Sequence, residues 1–575
     1  MPRAHDSYQR RARAVCVRCH RRKVRCDLEN RPGGVCTRCQ SEGHECEVHV
    51  GPRKQKKLRT SLGASLATPS RPASSPRPAI RTHHQHETPS PFEILGHHSH
   101  RGSNLNNVTG HGPNLINGSD LVLEISQASL LPSRAHTQAL ADVYFRELFP
   151  FVPVIDRGQF GAESSLLLKQ SLCLAGSTLR QSPGPPEWSP SAIFGRLKTL
   201  VFLHHDPDPL NILSAVCILS SWLPYAPEAV LLDNPWQWAG MGIRFGLQMQ
   251  LHYEETYARS EHPGRLRRIW WYLFVNDTMQ MACSGLPGMF PLIQSRIALP
   301  SLADFDNPDT GARVFCEMTT LCRILREILE LGQMDNAQPY QVNSCMGRLT
   351  RWREQLPPEL QLYDRDKTSR RPYNHHVNEA HIFYLVTIIL ICFLGRHHSS
   401  LLFKYVSMTA SSCIARLYEE IACHEDAVYL NSMHAWVILV AAISRSFSDS
   451  ELLNPELDEE IKISHQILEK MCEKHTAAAM VLNRLNATGH VSGTEITAQV
   501  DTMWNSLPAP ISDEERQYML SLFHFPSQFC SMLNLLQSAE SRANHQQSTI
   551  EYNDDDWPVD WSSFLFDGMD VWEEA

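Results

Sequence analysis

"CVRCHRRKVRC", Cys16–Cys26, is followed nine residues on by "CTRCQSEGHEC", Cys36–Cys46. Both copies read C-x2-C-x6-C. Two thiolates three residues apart can grip one metal ion from a tight turn, and a structural zinc takes four such ligands in a tetrahedron. Two ions need eight ligand places, and six cysteines fill them only if two sulfurs serve both metals. The repeat points to the first cysteine of each copy, Cys16 and Cys36. One ion then takes Cys16, Cys19, Cys26 and Cys36, and the other takes Cys16, Cys36, Cys39 and Cys46. A single zinc on Cys16, Cys19, Cys36 and Cys39 is the competing pattern. It leaves Cys26 and Cys46, at matching offsets, without a role. A stretch of this size has too little core to fold unaided, so metal is expected to supply much of its stability.

The two copies differ in charge. The first carries Arg18, His20, Arg21, Arg22, Lys23 and Arg25; the second has Gln40, Ser41, Glu42 and Glu45, with Arg38 as its one cation. Residues 1–60 hold sixteen Lys or Arg against six Asp or Glu, although the whole chain of 575 residues has a formal charge of −9. A basic end on an acidic body implies a polyanion partner at that end. DNA presents about one negative charge per 1.7 Å of its axis, so only the first copy suits it. Arg22 and Arg25, with Arg18 and Arg21, are candidates for phosphate contacts, which position without specifying.

The cysteine repeat closely resembles the fungal Zn2Cys6 binuclear zinc cluster transcription factors, above all the subgroup of cutinase and acetamidase pathway regulators. Pro32, which that family usually has, lies four residues before Cys36. The resemblance implies two Zn2+ ions and a first half inserted into the major groove at a CGG-type triplet. It places the base-reading lysine four residues after the second cysteine, at Lys23. Lysine donors suit the O6 and N7 acceptors of guanine.

Outward from the cysteines, composition sets the other boundaries. A second basic cluster, Arg53 to Arg59, is open to three readings, an import signal, a phosphate contact or plain solubility, with import slightly favoured. "TPSRPASSPRPAIRTHHQHETPSPFE" has many prolines and no hydrophobic period, the mark of a disordered spacer. Beyond it "CEMTTLCRILREILELGQ" sets Leu321, Ile324, Leu325, Ile328 and Leu329 on one helical stripe, with Arg323, Arg326, Glu327 and Glu330 off it. "VYFRELFPFVPVIDRGQF" (Val143–Phe160) is an amphipathic start with a proline-broken stop. "RLRRIWWYLFVNDTMQMACSGLPGMF" (Arg265–Phe290) is an apolar helix bounded by Gly285 and Pro287. These two stretches resemble the fungal-specific regulatory domain that accompanies zinc clusters. The match runs through Tyr144, Phe145, Pro150, Phe151, Pro153, Ile155, Asp156 and Phe160, then Arg267, Arg268, Trp270, Trp271, Asp277, Gly285 and Pro287. It implies an all-helical regulatory unit. Trp270 and Trp271 are expected to pack, and Asp277 to satisfy an arginine or a helix end.

The apolar run Ile382–Leu394 is too short to span a bilayer and reads as a buried helix. No secretory signal is expected at the start of the chain, and the eleven scattered cysteines read as ordinary buried thiols. No Gly-rich phosphate loop, G-x-S-x-G or H-E-x-x-H occurs, so no enzyme is expected. The tail "EYNDDDWPVDWSSFLFDGMDVWEEA" sets acids among aromatics without Lys or Arg, as activation segments do.

The expected molecule is mainly α. A small binuclear cluster domain occupies 14–50, a basic and then Ser/Pro-rich disordered linker 51–120, and an all-helical regulatory domain 121–500. The region 501–575 ends in an acidic, aromatic activation segment. The expected function is a nuclear, zinc-dependent, sequence-specific DNA-binding regulator of RNA polymerase II genes, activating a metabolic or secondary-metabolite pathway. Its partners would be double-stranded DNA and, through the tail, coactivators. A homodimer and a small-molecule effector stay open, and no membrane is expected. The alternative is a ligand sensor or interaction platform acting through the helical middle, or a repressor.

Overall fold

The computed structural model describes residues 16–46 except 23, 25, 29–34 and 45, and residues 118–533 except 162, 181–183, 223–230, 291–296, 334–337, 395–400, 447–454, 491–512 and 531. Lys23, Arg25, the basic cluster after the cysteines, the linker up to residue 117 and the acidic tail lie outside the described residues. The chain divides into two compact units, Met1–Gly110 and His111–Ala575.

In the first unit each cysteine copy begins a short helix, α1 (Val17–Arg21) and α2 (Thr37–Ser41). Cys36 is the N-cap of α2, its sulfur accepting from the Cys39 amide. The Asp27 carboxylate adds a hydrogen bond from the Thr37 amide at 2.9 Å. The core of this unit is the cysteines themselves with Leu28, Val24 packing alongside.

The second unit is helical. Its elements are α3 (Gly118–Ser126), α4 (Arg134–Val143), α5 (Leu166–Leu179), α6 (Pro190–Phe202), α7 (Pro209–Ser220), α8 (Pro235–Gln248), α9 (Glu254–Ala258), α10 (Pro263–Ser284), α11 (Thr310–Gly332), α12 (Pro339–Gln355), α13 (His375–Leu394), α14 (Leu401–Cys423), α15 (Met433–Ser446), α16 (Pro455–Cys472), α17 (Thr476–His490) and α18 (Asp513–Leu520). Among the described residues there is no strand, and an isolated bridge joins Tyr363 to Arg370.

Local chemistry explains where these helices start. Pro190, Pro209, Pro235, Pro263 and Pro339 stand in the first turn of α6, α7, α8, α10 and α12, where a missing N–H costs nothing. Ser165, Ser189, Asp208, Asn234 and Asp309 cap α5, α6, α7, α8 and α11. Gly285 closes α10 at φ 64°, a left-handed cap that glycine adopts without strain.

Successive helices pack pairwise, α4 on α5, α5 on α6 and α7, and α7 on α8. Helix α10 packs on α8 and on α11, and α11 packs on α13, so these two join the earlier helices to the later ones. α13 lies against α14, which also takes α15 and α16. One contiguous hydrophobic core runs through the unit, from Ala128 to Leu533. It includes Leu522, Phe523, Phe525 and Cys530, well past residue 500.

Two expectations need amendment. α13 is 20 residues, not the 13-residue run seen in the sequence, and by length and composition it could cross a membrane. Its most apolar window is entirely buried inside the unit, so burial, rather than length, accounts for it. On α11, Leu321, Ile324, Leu325 and Ile328 are buried as the stripe requires, but Arg326, placed off the stripe, is buried too. The reason is a tertiary ion pair with Asp277 described below.

Candidate zinc centre and DNA-contact face

The six cysteines of the first unit come together in two overlapping quartets. In each, all four sulfurs lie within 4.8 Å of one another: Cys16, Cys19, Cys26 and Cys36 in one, Cys16, Cys36, Cys39 and Cys46 in the other. The separations are 3.9 Å for Cys16–Cys36, 3.7 Å for Cys16–Cys39 and 3.8 Å for Cys19–Cys36. A tetrahedral zinc with Zn–S bonds of about 2.3 Å sets its sulfurs about 3.8 Å apart, so the spacing fits the metal. It is far too wide for a disulfide of about 2.05 Å, and all six are free thiols. Soft sulfur donors in a closed cage suit zinc as a structural ion.

The two halves mirror each other in their hydrogen bonds. The Cys19 amide donates to the Cys16 sulfur at 3.3 Å and the Cys39 amide to the Cys36 sulfur at 3.4 Å. The Cys16 amide donates to Cys26 at 3.4 Å, and the Cys36 amide to Cys46 at 3.2 Å. Burial raises the Cys16 thiol, but the Cys19 amide and the thiols around it outweigh that and bring it down to about 6. Cys36 is lowered chiefly by the Cys39 amide. Burial pushes Cys39 up to about 12 and raises Cys19 as well.

Of the residues expected to meet DNA, the structure places two side chains. Arg18 Nη2 and Arg22 Nη1 both donate to one oxygen of Glu42, at 3.0 and 3.1 Å. Arg21 lies at the end of α1. Sequence reasoning counted Glu42 only as part of a weakly charged second half and missed this contact. The repeat offset was the signal that could have found it.

In the second unit, the two stretches that carry the regulatory-domain resemblance lie against each other. Tyr144 belongs to a π-helical turn, Tyr144–Leu148, that continues α4. Its hydroxyl donates to the Val152 carbonyl at 2.8 Å and accepts from the Ile155 amide at 3.2 Å. The buried Arg268 donates from Nε to the Pro153 carbonyl at 3.0 Å and pairs with Asp156. Arg265, not singled out from the sequence, is buried as well and donates to the Val154 carbonyl at 3.0 Å and to Ser214 Oγ at 2.8 Å. Burial brings it down to about 10, so it stays charged. The proline-broken segment cannot use its carbonyls in a helix, and these guanidinium groups satisfy them.

Trp270 and Trp271 are buried packing groups, Trp271 donating to the Ala298 carbonyl at 2.8 Å. Asp277 meets both expectations at once. It accepts the Met289 and Phe290 amides beyond the end of α10, at 2.9 to 3.0 Å, and the Arg326 guanidinium at 2.7 Å. Trp270, Trp271 and Asp277 are thus structural.

One further trio, Glu147, His375 and His376, brings metal-capable atoms within 4.8 Å. Here Arg146 already pairs with Glu147, and the His376 Nε2 lies 3.1 Å from the Glu147 carbonyl. His375 Nε2 faces the other Glu147 oxygen at 3.1 Å, and the carboxylates around it raise the imidazole against its burial.

The geometry defines a class: a six-cysteine, two-metal module followed in the chain by an all-helical unit. Comparison with known proteins agrees. Residues 14–56 match the fungal Zn(2)-Cys(6) binuclear cluster domain, which binds two zinc ions, and residues 141–364 match the fungal specific transcription factor domain. The chain carries both domains of the fungal zinc-cluster transcription factors. It is similar to the cutinase transcription factor 1 alpha of Fusarium vanettenii, 25% identical over 361 residues, 56% of this chain and 39% of that protein. It is also similar to the acetamidase regulatory proteins of Aspergillus fumigatus (25% over 256 residues, 41% of this chain and 32% of the relative) and Emericella nidulans (23% over 338 residues, 54% and 41%). The matches thus span about a third to two fifths of these relatives' own lengths. No solved structure matches the chain.

Proposed function

We propose that this chain is a nuclear, sequence-specific DNA-binding activator of RNA polymerase II genes that serve a metabolic pathway. Cys16, Cys19, Cys26, Cys36, Cys39 and Cys46 hold its two zinc ions, with Cys16 and Cys36 shared. The cage presents α1 to the major groove. Lys23 reads guanine edges of a CGG-type triplet, while Arg18, Arg21, Arg22 and Arg25 meet phosphates. The observation that carries this reading is the pair of sulfur quartets sharing two atoms, with the basic helix α1 rooted between Cys16 and Cys19. The cutinase and acetamidase regulators among the relatives favour a catabolic target pathway.

The helical unit serves regulation in this reading, through an effector or through coactivators recruited by the tail, and performs no catalysis. Its structure supports that role in one respect: the charged and aromatic signature residues are consumed by packing, with their polar groups paired to backbone and to opposite charges within the unit. Binding of the full-length protein to duplexes in which each base of a CGG triplet is varied tests the proposal. Lys23→Ala should flatten the ranking of triplets while native mass spectrometry still finds two zincs. An unchanged ranking removes Lys23 as the reader. Genome-wide mapping of bound sites would then return the half-site spacing and the pathway.

A further inference from the structure

Arg22 and Glu42 occupy the same place in the two halves of the repeat. Each lies six residues after the shared cysteine of its own half, Cys16 or Cys36. Where the first half has a guanidinium, the second has a carboxylate. The structure makes the substitution more than a matter of net charge. A single Glu42 oxygen accepts from Arg18 at 3.0 Å and from Arg22 at 3.1 Å, bridging two arginines four residues apart near α1. All three side chains are open to water, at 31%, 55% and 36% exposure for Arg18, Arg22 and Glu42.

A carboxylate and a phosphate compete for the same guanidinium donors, since both are oxyanions recognised by the same N–H fork. An ion pair this exposed is weak and exchangeable. On approach to DNA, two of the arms that would meet phosphates must therefore leave Glu42 or share it. A carboxylate held among them stands within a few ångströms of any phosphate they take, where like charges repel and screening is weakest.

We propose that Glu42 is an internal competitor for phosphate: it occupies Arg18 and Arg22 in the free domain and lowers affinity for all DNA alike, without altering which triplet is preferred. This rests on the reading of Arg18 and Arg22 as phosphate contacts. It assigns the second half of the cluster a part in DNA binding beyond completing the metal cage.

The test uses the full-length, zinc-loaded protein and two short fluorescent duplexes, one with a CGG triplet and one with that triplet scrambled, read by anisotropy. Glu42→Gln should tighten binding to both duplexes by the same factor, on the order of 3- to 10-fold. In an Arg18→Ala/Arg22→Ala background the same change should do nothing. Glu42→Ala is the second variant and should move affinity in the same direction, with two zincs retained in each. Unchanged or weaker binding by Glu42→Gln overturns the proposal. So does a gain that survives removal of both arginines, since it would then act through the general field of the protein. If the arginine double variant itself binds like wild type, the phosphate reading has failed instead, and the competition falls with it.

Discussion

Asp277 and Arg326 show how far a single residue can be read without its neighbours. An acid inside an apolar helix, close to its glycine stop, needs an arginine or a helix end, and Asp277 finds both. Arg326 was legible only as a surface position, because helical period places it off the apolar stripe of α11. The partner 49 residues earlier in the chain draws it inward. Breaking a buried pair from one side leaves a charge without compensation, so Arg326→Ala should cost about 3–5 kcal/mol of stability. Denaturant unfolding followed by tryptophan fluorescence measures this without signal from the cysteine module, since the first tryptophan of the sequence is Trp188. Arg326→Ala combined with Asp277→Asn should cost clearly less than the two singles added together. At the same scale, Arg22→Ala should weaken binding to every duplex alike and reduce its salt dependence by about one ion's worth, unlike Lys23→Ala.

At the scale of elements, the sequence announced α10 and α11 through period, proline and glycine. It showed α13 as a buried apolar run, Ile382–Leu394, but not the start at His375, because residues buried all round carry no amphipathic stripe to locate an end. The π-helical turn at Tyr144–Leu148 has no sequence signature either. Close helix contacts are another hidden property. A Cβ on Gly176 of α5 would meet the Leu140 carbonyl of α4 at 2.1 Å, with backbone that cannot swing aside. Gly176→Ala should force the two helices apart and lower stability by roughly 1–3 kcal/mol or more, visible as an early thermal transition. The two short helices of the cluster depend on a different force. With a core of cysteines and one leucine, they should lose their fold when a chelator removes zinc. Circular dichroism of residues 10–60 would show the loss, while the tryptophan-reported melting of the full-length protein stays in place.

For the molecule as a whole, histidine burial makes the helical unit sensitive to acid. His381 and His475 are buried and lowered to about 4, chiefly because burial disfavours the imidazolium. Each donates its Nε2–H to a backbone carbonyl, His381 to Leu360 at 2.8 Å and His475 to Leu430 at 3.1 Å. In the unfolded chain they take up protons near pH 6.5, so the stability they lend is present above that value and drains away as pH falls toward 4. His375 has the opposite sign: raised beside Glu147, it lends stability at low pH and loses it as pH rises through its folded value. A fall in melting temperature between about pH 6.5 and 4, reduced by His381→Gln, is the expected outcome. A flat profile across that range would contradict the burial of these rings.

The cysteine spacing alone determined the zinc module, since six sulfurs at repeated offsets can close around two ions only by sharing. Composition likewise determined the charge division along the chain, and hydrophobic period the helical character of the middle. Only the tertiary structure decided which charges are available. It spent Arg265, Arg268 and Arg326 inside the helical unit, on carbonyls and acids more than 35 residues away in the chain. It also laid Arg18 and Arg22 on a carboxylate of the opposite half. Spacing along a chain encodes contacts between near neighbours, whereas pairing between distant charges depends on where folding brings them, and no local pattern records that.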